Sequence, residues 1–237
     1  MSTDTTSDSL EAADARVLNR IRLELQDDLS LIEMGLLTTM HGLGQLSRKG
    51  KYSSGPQILR ATLLVRCFNT GNCAYRLLRM GYYVQPLVLL RSAFEDWIAE
   101  NYVQARPHQA SKWMDQSLTR PSRAKQVEAV TTDKKANLKG ILGTLDEFAH
   151  PGRMGVWQIA EERETGPYLR LGGHYDAAWF SRVAYPFLFL LSLKATSITR
   201  LMTDVAVQPE SEWIGEANEF DARGTAWVKQ YNDSIGD

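Results

Sequence analysis

The sequence predicts an all-α protein, an up-and-down bundle of five to six long helices with a small β-hairpin inserted near residues 156–171. Three observations carry this expectation. Apolar residues recur at spacings of three and four through most of the chain. Prolines stand where such runs begin, and glycines where they stop. Only one stretch changes to alternation about a turn.

Residues 1–9 are rich in Ser, Thr and Asp and are expected to be disordered, with residues 10–237 forming a single helical domain. From Leu10, the stripe Val17, Ile21, Leu25, Leu29, Ile32 and Leu36 predicts one amphipathic helix. The glycines at 35, 42, 44 and 50 are expected to loosen its end, and Lys51 to Gly55 to form a loop. Pro56 opens a second helix that turns Leu59, Leu63, Cys67 and Ala74 inward and stops near Gly81. Pro86 opens a third, to about Ala105, with Leu87, Leu90, Phe94, Ile98 and Tyr102 on its apolar face. Pro107 starts a short fourth helix. A fifth main helix runs from about Asp133 to His150 with Leu138, Ile141, Leu142, Leu145 and Phe148 inward, and Pro151-Gly152 ends it. Val156–Ile159 and Tyr168–Leu171 alternate about the turn Glu164–Pro167, which predicts the hairpin. A long helix follows from about Tyr175 to Val205, apolar on nearly every side between Val183 and Leu193, and Pro209 opens a last acidic helix.

Composition bounds the function classes. The 237 residues carry 27 Lys+Arg and 28 Asp+Glu, a formal net charge of −1, so no global basic bias points to nucleic acid. The run from Val183 to Leu193 is too short to span a membrane, for which about 20 apolar residues are required. No basic, apolar leader opens the chain, and the two cysteines, Cys67 and Cys73, are six apart on one helix and cannot meet. A reduced, cytoplasmic setting with no membrane association is therefore expected.

Three clusters could carry chemistry. Arg91 and Glu95 are four apart on the third helix beside apolar anchors, so both enter a partly buried face and require partners. Glu147 and His150 are three apart, on the side of the fifth helix that bears Gly140, Gly143 and Thr144, where another helix or a ligand has room. Glu95, Glu147 and His150 are the candidate acid/base groups. A structural ion pair, and a histidine placed to meet a helix C-terminus, are the competing readings of the same residues. The turn Gly172-Gly173-His174-Tyr175-Asp176 brings His174 and Asp176, with Arg91, as ligand-binding candidates; a plain turn with an N-cap is the competing reading. The E-x-x-H pair echoes di-iron bundles, but only His150 among the four histidines has Glu three residues before it, so no metal and no cofactor are expected.

Residues 119–139 carry six basic and two acidic side chains, net +4; residues 204–237 carry eight acidic and two basic, net −6. The two segments are expected to meet, within a chain or across a homodimer, or else to be solvated faces. A small anionic ligand or RNA is the partner class the basic stretch suggests, although it lacks interleaved aromatics.

On Arg91-Ser92-Ala93-Phe94-Glu95, Glu147 to Pro151 and Gly172 to Asp176, the chain resembles a family of bacterial all-helical proteins known mainly as a domain of unknown function. The resemblance covers about residues 84–195 and implies a helical fold without a settled activity. The arrangement is also similar, loosely, to HEPN-type helical bundles, some of which are RNA-cleaving toxins with an Arg four to six residues before a His on a helix. No Arg precedes His150 in that window, and Arg170 precedes His174 off the helix, a departure that speaks against nuclease chemistry. Two functional readings follow: a helical binding or interaction module in bacterial defence or stress regulation, or a hydrolase or nuclease using the Glu/His/Arg cluster.

Overall fold

A computed structural model describes residues 10–114, 121–130, 132–149, 160–163, 166–169 and 173–235. The architecture is all-α. Among the described residues the elements are α1 (Leu10–Glu24), α2 (Gln26–Lys49), α3 (Gly55–Arg79), α4 (Val84–Ala105), α5 (Pro107–Met114), α6 (Arg123–Val127), α7 (Thr132–Ala149), α8 (Ala177–Asp204) and α9 (Ser211–Ile235). Two four-residue strands, β1 (Ala160–Arg163) and β2 (Gly166–Leu169), pair antiparallel with Ala160 opposite Leu169 and Arg163 opposite Gly166. Val156–Ile159, expected as the first strand, lies outside the described residues.

Among the described residues seven helices have fifteen or more residues, against the five or six expected. The difference lies at Leu25, whose backbone (φ −124°, ψ 32°) leaves the helical region and divides the expected first helix in two. The apolar stripe runs unbroken across the division: Ile21, Leu29, Ile32 and Leu36 are all buried, so periodicity could not reveal it.

The glycines of α2 also depart from expectation. The helix continues through Gly35, Gly42 and Gly44 to Lys49. Gly35 and Gly42 are the seats of α9. A Cβ at Gly35 would stand 2.5 Å from the Phe220 ring, and one at Gly42 would stand 2.8 Å from Trp213 Nε1. Trp213 Nε1 donates to the Thr38 carbonyl at 2.9 Å. Small residues here admit two aromatic anchors rather than weakening a helix end.

Helix α3 starts where Gln57 Oε1 accepts the Ser54 amide at 3.1 Å, with Pro56 in the first turn. It ends at Gly81, the only described glycine with positive φ (77°), where a side chain would strike the His174 backbone. Helix α4 is the central element, packed on α3, α7 and α8. Its Leu90, Ala93, Phe94 and Ile98 are wholly buried, and Trp97 nearly so. Helix α8 buries Phe187, Leu188, Leu190, Leu191 and Leu193, with Phe189 half-buried, as expected of a run apolar on nearly every side. Cys67 is buried, Cys73 is exposed, and both are free. No helix among the described residues is long and apolar enough to cross a membrane.

Candidate functional site

The outward face of α4 presents Arg91 and Glu95 where α6 and α7 cross it. Arg91 Nε donates to Asp146 Oδ1 at 2.6 Å, and its Nη2 lies 3.5 Å from Glu95 Oε1. Arg123, from α6, donates through Nη1 to Asp146 Oδ1 at 2.8 Å, donates again through Nη2 to Oδ2, and approaches Glu95 within 3.9 Å. The hydrogen bonds from Arg123, and then from Arg91, hold the Asp146 carboxyl well below the usual carboxylate range. The pairing with Asp146 raises the Arg123 guanidinium in turn. Two cations and two anions satisfy one another, and the cluster ties α4 to α6 and α7.

The partner of Arg91 is therefore Asp146, not Glu147. One residue along a helix turns a side chain by about 100°. Asp146 points to α4 and α6, while Glu147 is exposed and lines a different cleft. The structure brings Arg91 to Glu95 but does not bring Glu147 to either. His150 lies outside the described residues. Arg123, which completes the cluster, appeared in the sequence only as one charge of a basic stretch. Among the described residues no ion pair joins the acidic C-terminal segment to that stretch; Glu210 pairs with Lys49 and His41 of α2, and Glu216 with His41.

His174 and Asp176 work as a lock at the head of α8. The His174 amide donates to the Gly81 carbonyl at 3.1 Å, and its own carbonyl accepts from Tyr83 Oη at 3.0 Å. Its ring meets Tyr83 edge-on at 5.0 Å. Asp176 Oδ1 accepts the Trp179 amide at 3.0 Å, the N-cap of α8, while the Asp176 amide donates to Tyr83 Oη at 2.9 Å. These contacts join the turn between α3 and α4 to the start of α8.

A roomy, largely apolar cleft lies elsewhere. Helix α7 rests on α4 and stands off α8, leaving a space of about 630 Å³. Ile141, Leu145 and Phe148 of α7 line its inner side. Trp179 and Tyr185 of α8 and Tyr231 of α9 line the opposite wall, each ring half-buried. Tyr231 stacks between Tyr185 at 5.4 Å and Trp227 at 5.3 Å, and Trp179 meets Phe148 edge-on at 5.7 Å. Burial raises the Tyr231 hydroxyl above its ordinary value. Gly140, Thr144 and Glu147 form the α7 rim, and a Cβ at Gly140 would have nothing within 4 Å. A space of this size and lining suits a small organic molecule. Its sequence signal was weak: Trp179 and Tyr185 belong to a helix already rich in aromatics, and Tyr231 lies some 50 residues away.

Sequence reasoning also missed the most deeply buried charges. Arg60 donates through Nε to Glu100 Oε1 at 2.7 Å and through Nη1 to Asp204, and burial pushes the Glu100 carboxyl up. Lys194 is fully buried, with no hydrogen-bond partner for Nζ among the described residues and the Phe68 ring 5.3 Å away; burial pulls its amine down. Lys194 stands seven residues from Phe187, two turns along one helix face, and that spacing could have announced its burial. Among the described residues no three His, Cys, Asp or Glu side chains converge as a metal site. No protein family, curated protein or solved structure matches the chain.

Proposed function

We propose that this chain is a helical binding module whose ligand occupies the cleft between α7, α8 and α9. The observation that supports this best is the makeup of that cleft: three half-buried aromatic rings share it with an α7 rim that Gly140 leaves bare. Small-molecule sites are concave, largely apolar, and carry few polar groups, as this one does. The enzyme reading has less support. Glu95 is engaged by Arg91 and Arg123, and Glu147 borders the cleft without a second acid or base from the described residues beside it. RNA has less support for the same reason: Arg91 and Arg123 are neutralised by Asp146 and Glu95.

The working unit in this reading is a homodimer. Leu37 and Met40 of α2 and Ile58 and Val65 of α3 stand exposed, apolar side chains that a second copy would cover. Sedimentation over graded concentrations tests this, and a mass fixed at 26.7 kDa would refute it. The proposed setting is the bacterial cytoplasm, in defence or stress regulation, where free Cys67 and Cys73 stay reduced.

The test of the site is a fluorescence titration with phenylnaphthylamine, a neutral aromatic dye that brightens on leaving water. Saturable binding is expected, and Gly140→Trp, which puts an indole into open space, should abolish it. An absence of saturable binding, or binding untouched by Gly140→Trp, would contradict the proposal.

A further inference from the structure

We infer that the ligand of the α7–α8–α9 cleft is a flat aromatic anion whose charged group is met by the Arg182 guanidinium. This inference rests on the binding-module reading. It goes further by fixing the ligand's charge and the residue that reads it.

The arginines of this protein differ in what they meet. Arg60, Arg66, Arg91 and Arg123 each meet a carboxylate. Arg182 lines the cleft and meets no carboxylate among the described residues. Its guanidinium lies 4.9 Å over the Trp179 ring, and its charge reaches the Tyr231 hydroxyl. Arg79 and Arg106 also sit over tyrosine rings, but neither lines this cleft. An arginine held by an aromatic face keeps its planar fork of donors available, and that fork suits a carboxylate, sulfonate or phosphate.

The rest of the wall suits an aromatic partner. Trp227, Tyr231 and Tyr185 form a continuous stack with interplanar angles of 10° and 29°. Trp179 stands perpendicular to Phe148, at 85°. Rings fixed by their neighbours lose little freedom when a flat partner lies against them. The opposite rim, on α7, carries Glu147, which repels an anion from that side. The ligand's negative group is thereby directed to α8, with its ring along the aromatic wall.

The experiment compares two dyes of nearly the same shape, neutral phenylnaphthylamine and anionic anilinonaphthalene sulfonate, on the full chain. The variants are Arg182→Met, Glu147→Gln and Gly140→Trp; all three positions are exposed, and circular dichroism checks that each variant folds. The expected result is that Gly140→Trp abolishes binding of both dyes. Arg182→Met should weaken the sulfonate about fivefold, as expected for a partly exposed ion pair, and leave the neutral dye within about twofold. Glu147→Gln should tighten the sulfonate only. If both dyes bind, both are blocked by Gly140→Trp, and Arg182→Met affects them equally, the anionic class is overturned while the cleft stands. If Gly140→Trp blocks neither dye, the cleft reading and this inference fail together.

Discussion

Replacing Glu100 with leucine perturbs the most deeply buried ion pair among the described residues. The Glu100 side chain is fully buried and that of Arg60 is 4% exposed, so water cannot repair a loss on either side. Glu100 accepts from Arg60 Nε at 2.7 Å and from Asn101 Nδ2 at 3.3 Å, and the variant removes both acceptors. Leaving one buried charge unpaired costs about 3–5 kcal/mol. Arg60 keeps its second partner, Asp204, whose side chain is 44% exposed, and this places the loss at the lower end, about 3 kcal/mol. Urea unfolding is the assay; with a slope of about 2–3 kcal/mol/M the midpoint should fall by about 1 M or slightly more. The double variant Arg60→Met/Glu100→Leu removes both charges and should recover most of that loss, because an apolar pair of similar volume is often as stable as the ion pair. A single variant that loses less than about 1 kcal/mol, or a double variant less stable than the single, would refute the reasoning.

Two glycine substitutions should act in opposite directions. Gly42→Ala brings a methyl within 2.9 Å of Ile198 and Trp213 and should lower stability by about 1–3 kcal/mol. Gly140→Ala meets nothing and should raise it by about 0.5–1 kcal/mol; thermal unfolding of the pair reads both signs. His41 should make stability pH-dependent. Its ring nitrogens lie 3.0 Å from Glu216 and 3.3 Å from Glu210, and these bonds, that to Glu216 foremost, raise its proton affinity. The charged ring then stabilises the fold below the unfolded value of about 6.5, and this contribution is lost as pH rises through the folded value. The urea midpoint should therefore fall between about pH 6 and pH 8, and His41→Gln should flatten that slope; an unchanged slope would count against the clasp.

Most of the helical plan was legible because it follows from local rules. Pro56 and Pro107 stand in first turns, and the apolar faces of α3, α4 and α7 are buried as their spacing requires. The rest depended on what other elements bring. Nothing at Leu25 interrupts the apolar period, so the division of α1 from α2 left no trace in it. The glycines of α2 read as helix breakers until Trp213 and Phe220, some 170 to 185 residues later, are seen to fill the space they leave. The need for partners at Arg91 and Glu95 was legible, but not their identity: Asp146 and Glu147 are adjacent carboxylates, and only the rotation of α7 against α4 decides between them. The aromatic cleft assembles residues from three helices, a juxtaposition no single periodic pattern encodes.

The central claim is that the space between α7, α8 and α9 is a ligand site. The most direct measurement is a crystal structure of the full chain with phenylnaphthylamine bound. The dye is expected between Trp179 and the Gly140 side of α7, against the stacked rings of Tyr185 and Tyr231. A dye bound elsewhere, with this cleft closed by the chain itself, would contradict it.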